Sequence, residues 1–277
     1  MKIDSHQHFW KYDAVEYAWI SPEQTVLQHD FLPSDLDPLL AENGIDGSIA
    51  VQARQTVEET RWLLELSEAN PKVKGVVGWV PLCRSDLNAS LDQFSENPKL
   101  VGVRHVIHDE EDDDFILRED FNQGIRQLEP RDLVYDILIF EKHLPQTIQF
   151  VDQHPNIQFV VDHIAKPKIS SGAFDKNWRN NILELSKREN VACKLSGMVT
   201  EVIDPQWTSS HLAPYFDTAI EAFGPARLLA GSDWPVCLLK AEYTLWHQTL
   251  CASIQSLSED EQFDVLGKSA SRIYKLR

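Results

Sequence analysis

Hydrophobic and polar positions along the chain fall into a repeating pattern, a short apolar run followed by a longer stretch with helical spacing. Eight such runs are present: KIDSH at 2–6, GSIAVQA at 47–53, VKGVVGWV at 73–80, LVGVRHV at 100–106, LVYDILI at 133–139, IQFVVD at 157–162, VACKLS at 191–196 and RLLAGS at 227–232. Near-continuous apolar runs of this length are what strands buried on both faces require. Between them, SDLDPLLAENG reads as a helix with Ser34 as its N-cap and Gly44 at its end. TVEETRWLLELSEAN places apolar residues three and four apart. Strand and helix in strict alternation predict a parallel α/β fold.

Eight strands close into a (β/α)8 TIM-type barrel, or form a doubly wound sheet, which would carry a Gly-x-Gly-x-x-Gly loop after its first strand. The first run here ends in His-Gln-His instead, so the barrel is the expected fold. The segment SEDEQFDVLGKSASRIY follows the eighth repeat and is expected to be a closing helix that packs. No low-complexity linker interrupts the 277 residues, and a single barrel domain over 1–277 is the expectation.

Composition narrows the function. With 26 Lys and Arg against 43 Asp and Glu, the formal charge is −17, which repels phosphate backbones and anionic membranes. Nucleic-acid and membrane partners are therefore not expected, whereas a small-molecule substrate is, and a homo-oligomer is compatible with the sequence. The acidic run Asp109 to Asp114 lacks the alternating ligands of a calcium loop and reads as a solvated loop. Cys83, Cys193, Cys237 and Cys251 are too far apart for a CxxC site. With no apolar leader core and no run of ~18 apolar residues, a cytoplasmic location is expected.

Barrel active sites lie at the C-terminal ends of the strands. Here those ends are polar: His6 and His8, Gln52 and Arg54, Trp79, Arg104 and His105, Asp136, Asp162 and His163, Lys194 and Ser196, then Asp233. His6 and His8 are two apart, so on a strand they leave the same face and can converge on one ion or atom. A His-x-His triplet alone is weak, arising by chance about 0.4 times in a chain with this histidine content; its place at the end of the first strand gives it weight. His163 precedes an irregular Lys-Pro segment and is expected to face the mouth, the other reading being a histidine bonded to a loop carbonyl. Asp233 is placed to take a proton from a water over the barrel axis, though Asp-Trp-Pro also makes a turn.

Three histidines and a carboxylate form an N/O set suited to one divalent ion, zinc first, which lowers the pKa of bound water toward ~7. The same four residues also serve without a metal, Asp233 acting as base and the histidines polarising a carbonyl. Arg54 and Arg104 offer fixed positive charge to a substrate, or form ion pairs inside the barrel. Trp10, Trp19, Trp79 and Trp234 lie beside the predicted mouth, where an indole covers a sugar face or acts as a wedge of core.

Taken together, IDSHQHFW, GVRHV, VVDHIAKP, CKLSGM and GSDWPV resemble, over residues 3 to about 237, the amidohydrolase-related lactonase family of the amidohydrolase superfamily. That resemblance implies a metal-dependent-hydrolase-like barrel that opens the ester of a small lactone. It also implies that His6 and His8 are the first-strand pair, His163 the sixth-strand histidine and Asp233 the aspartate that activates water. Some members use one metal and others none. Two-metal relatives place a lysine on strand four, and VGVRHV has none. Relatives acting on a pyrone dicarboxylate imply more strand-end arginines than Arg54 and Arg104, so a sugar-acid lactone is the expected substrate. Its oxyanion would rest on His6, His8, His163 or an ion. Two other readings stand beside this one: metal-dependent decarboxylation of an unsaturated acid on the same barrel, and sugar-acid binding without turnover.

Overall fold

The computed structural model describes residues 1–276 apart from Ser95 and Ala173. Its eight strands are β1 (Ile3–Gln7), β2 (Gly47–Val51), β3 (Val73–Gly78), β4 (Leu100–Val106), β5 (Val134–Leu138), β6 (Phe159–Val161), β7 (Val191–Leu195) and β8 (Leu228–Ala230), all parallel and paired in chain order. Every strand matches one of the eight apolar runs. The barrel is brought toward closure by the chain leaving β8, where Asp233 N–H donates to the His6 carbonyl (2.8 Å) and His8 N–H donates to the Trp234 carbonyl (2.7 Å). The same two bonds fix His6, His8 and Asp233 relative to one another. Outer helices are α1 (Pro33–Glu42), α2 (Val57–Ala69), α3 (Leu87–Phe94), α4 (Glu119–Arg126), α5 (Leu144–Asp152), α6 (Lys176–Leu185), α7 (Ser209–Phe223) and α8 (Tyr243–Ser253).

Helix α1 begins earlier than its sequence suggests. Leu32, not Ser34, is the N-cap, because Asp35 reaches back to accept the Leu32 N–H at 2.9 Å and Pro33 supplies a preset first turn. Gly44 ends it as expected: at φ +64° it lets its own N–H reach the Ala41 carbonyl (3.2 Å) and Ile45 N–H the Leu40 carbonyl (2.9 Å).

The barrel interior is layered. At its floor lie Ile3, Ile49, Val77, Val134, Val160, Ala192 and Leu229, covered from below by Ala270, Ile273 and Tyr274 of the terminal segment. That segment packs as expected, as two short helices (Glu259–Phe263 and Ser269–Ile273) about a wider turn. Gly267 in the turn lies so close to the N-terminus that a Cβ would meet the Met1 carbonyl at 2.3 Å. One pleat repeat above the floor, the inward positions on β5, immediately after β6 and on β7 are charged instead: Asp136, Asp162 and Lys194. No helix of the described residues is long and apolar enough to cross a membrane.

Candidate active site

At the barrel mouth a cleft of about 500 Å3 has His8, His163, Asp233 and Arg104 among its walls. His6, His8, His163 and Asp233 come together. His6 Nε2 and His8 Nε2 are 3.2 Å apart, and Asp233 Oδ1 lies 3.7 Å from His6 Nε2, 3.4 Å from His8 Nε2 and 3.8 Å from His163 Nε2. All four residues are buried.

The backbone is held in unusual conformations to achieve this. Asp233 has φ +58°, and His163, Ile164, Ala165 and Lys166 are four consecutive non-glycine residues with φ between +46° and +62°. Each costs on the order of 1 kcal/mol and persists only where the surroundings impose it. The Trp178 indole N–H donates to the Ile164 carbonyl at 2.7 Å and Lys166 N–H closes onto the His163 carbonyl at 2.8 Å, which pin the turn. Gly197 explains the Ser-Gly that follows β7: a Cβ there would stand 2.4 Å from His163 Nδ1 and 3.1 Å from Asp233 Oδ2.

Protonation follows from these contacts. Burial pushes the Asp233 carboxyl up, but His163, His8 and His6 together outweigh it and hold it below the usual carboxylate range. Burial drives His6 well below the ordinary imidazole value, Asp162 only partly opposing it, and takes His163 down to about 4. Both rings are therefore neutral at neutral pH. His8 Nδ1 lies 2.8 Å from the Val51 carbonyl. A carbonyl only accepts, so Nδ1 carries a proton, and in the neutral ring Nε2 presents a lone pair to the site.

A tetrahedral ion with ligand bonds of ~2.1 Å needs donors about 3.4 Å apart. The separations of 3.2, 3.4 and 3.7 Å among His6, His8 and Asp233 suit such an ion, and the carbonyl-anchored His8 ring has the supported lone pair of a metal ligand. His163 stands beside the same carboxylate oxygen.

The other expected substrate contacts divide. Arg54 lines the cleft, paired with Glu16 and lying 5.1 Å from the Tyr17 ring centre. Arg104 lines it while donating to Asp162 Oδ2 (3.0 Å) and the Gln52 carbonyl, so it is both ion pair and site wall. Among the tryptophans, Trp19 alone lines the cleft. Trp10, Trp79 and Trp234 do not, and are corrected here. Trp10 is wholly buried, donating to the His29 carbonyl and packed on Tyr17 and Phe31. Trp234 is wedged between Phe9 and Phe31. Trp79 donates to His105, whose ring alternates outward from Arg104 and stacks on Phe115. Lys166, paired with Glu201 at 2.6 Å, and His108 also reach the cleft, and neither was anticipated as a site residue. The run 109–114 is mostly exposed, with Asp109 at the cleft rim and Glu110 bonded to His105.

The chain belongs to the amidohydrolase family, whose sequence pattern matches residues 3–276. Within it, the chain is 39% identical to an L-fucono-1,5-lactonase of Burkholderia multivorans, the match covering 100% of this chain and 96% of that one. An L-fucono-1,5-lactonase of Burkholderia ambifaria is 35% identical over 99% of this chain and 96% of its own. The crystal structure of a Burkholderia multivorans amidohydrolase with bound zinc is 39% identical, with a TM-score of 0.96 and both chains covered completely.

Proposed function

We propose that this protein hydrolyses the ester of a small sugar-acid lactone, with Asp233 as the base that activates water and His6, His8 and His163 around it. The observation that carries the chemistry is one ionised carboxylate with three imidazoles 3.4–3.8 Å from a single oxygen of it, at a cleft wide enough for a sugar ring. Full-length similarity to two L-fucono-1,5-lactonases supports the substrate class. Decarboxylation and binding without turnover draw no support from these relatives.

His6, His8 and Asp233, with His163 beside them, would hold one zinc ion. When bound, such an ion lowers the pKa of water toward ~7 and polarises a carbonyl. The chain's own groups account for the rest. Asp233 accepts a proton from water as the water oxygen bonds to the lactone carbonyl carbon. As the carbon to ring-oxygen bond breaks, Asp233 returns that proton to the departing ring oxygen, leaving a hydroxy acid. Arg54, Arg104 and Lys166 set positive charge around the cleft of an otherwise acidic protein and favour the carbonyl oxygen and the product carboxylate. Trp19 offers its indole to one face of the ring.

A panel of aldonolactones, led by 1,5-lactones of L-fucono configuration and followed by acid release with a pH indicator, tests this. Acid release that falls on chelation and returns with zinc is the expected outcome. Carbon dioxide from an unsaturated acid with every lactone untouched would overturn it.

A further inference from the structure

His6 has a feature that its neighbour His8 lacks: both of its ring nitrogens face competing partners. Nδ1 lies 3.1 Å from Lys194 Nζ and 3.3 Å from Asp162 Oδ1, the first a donor and the second an acceptor. Nε2 lies 3.2 Å from His8 Nε2 and 3.3 Å from Arg104 Nη1. In the neutral His8 ring, whose Nδ1 proton is committed to the Val51 carbonyl, Nε2 is a lone pair.

Two arrangements satisfy this neutral ring, and they differ only in which nitrogen carries its proton. In one, the Lys194 ammonium donates to Asp136 Oδ2 (2.6 Å) and His6 Nδ1 (3.1 Å), and it pairs by charge with Asp162 Oδ1 at 2.9 Å, a buried oxygen that accepts no hydrogen bond. The His6 proton is then on Nε2 and bridges to the His8 lone pair. In the other, Nδ1–H faces Asp162, and the His6 Nε2 lone pair accepts from Arg104. Two lone pairs then oppose each other across 3.2 Å unless a cation sits between them. The first arrangement has the shorter contacts when no cation is bound. Only the second makes His6 a ligand.

We propose that His6 is a tautomeric switch: Lys194 holds it in the Nε2–H form, and a divalent cation drawn in by His8 and Asp233 turns it to the Nδ1–H form, which Asp162 receives. This rests on the zinc reading above. No net proton is gained or lost by the ring. Lys194 and Asp162 are therefore positioning residues for the metal, and the charged layer beneath the site sets how readily the cation is held.

The test is a long-range nitrogen–proton correlation spectrum of the whole protein with 15N-labelled histidine, chelated and then titrated with zinc alone. His6 is expected as Nε2–H in the chelated protein and as Nδ1–H after zinc, while His8 stays Nδ1–H throughout. Zinc that shifts the His8 resonances with His6 in one tautomer before and after overturns the switch and leaves the zinc site standing. Zinc that moves neither ring overturns both. Asp162→Asn, which weakens the acceptor for Nδ1–H, is expected to lower zinc affinity by about 10–100-fold in the folded variant; unchanged affinity in a folded variant counts against the switch. The spectra of the wild-type chain decide the matter if that variant fails to fold.

Discussion

Asp233→Asn is expected to lower turnover of the lactone by at least ~10²-fold while leaving the fold intact. The substitution preserves the size of the side chain, and the bonds that tie this residue into the barrel are made by its backbone, N–H to the His6 carbonyl and carbonyl to Cys237 N–H (2.9 Å). What is lost is the ionised carboxylate that stands beside three imidazoles, placed to take a proton from water and return it to the ring oxygen. Steady-state kinetics together with circular dichroism measure both halves. Turnover within a few-fold of wild type would remove Asp233 from the chemistry.

Lys194→Met is expected to cost about 3–5 kcal/mol of folding stability, the loss that follows when one partner of a buried ion pair is removed. The ammonium is fully buried between Asp136 and Asp162. Burial raises the Asp136 carboxyl to about 6, Lys194 opposing it, and Tyr274 from the terminal segment donates to the same carboxylate at 2.7 Å. Asp162 moves the other way: burial pushes it up, but Lys194, His6 and Arg104 prevail and hold it well below the carboxylate range. Without the lysine, Asp162 keeps Arg104, while Asp136 is left with the Tyr274 hydroxyl and no cation. Adding Asp136→Asn to Lys194→Met restores the charge balance and should recover part of the loss. Denaturant unfolding curves report the difference, and a change below ~1 kcal/mol would mean that the triad is not electrostatically coupled.

The barrel was legible because strands buried on both faces leave near-continuous apolar runs, and all eight survive in the structure with their ends moved by a few residues. His6, His8, His163 and Asp233 were legible because each stands where a run stops, and a parallel barrel gathers those stops at one mouth. Asp136, Asp162 and Lys194 were visible as polar strand ends, but not as a unit. Their signal is finer: on β5, just past β6 and on β7, a charge stands two positions after an inward apolar residue, Val134, Val160 and Ala192, two of them acidic and one basic. The tryptophans misled because a loop has no period, so proximity to a strand end does not say which way an indole turns. Trp10 and Trp234 turned into the packing beneath the first loop, and Trp79 turned outward to His105. Lys166 was hidden for the same reason, since its direction comes from a left-handed turn of four non-glycine residues that no propensity foretells.

Turnover of a lactone in 18O-labelled water, followed by mass spectrometry of the product acid, tests the central claim most directly. Attack by an Asp233-activated water on the carbonyl carbon predicts a single labelled oxygen, located in the carboxylate, with the released ring hydroxyl unlabelled. Label in that hydroxyl, or product formed without label, would contradict it.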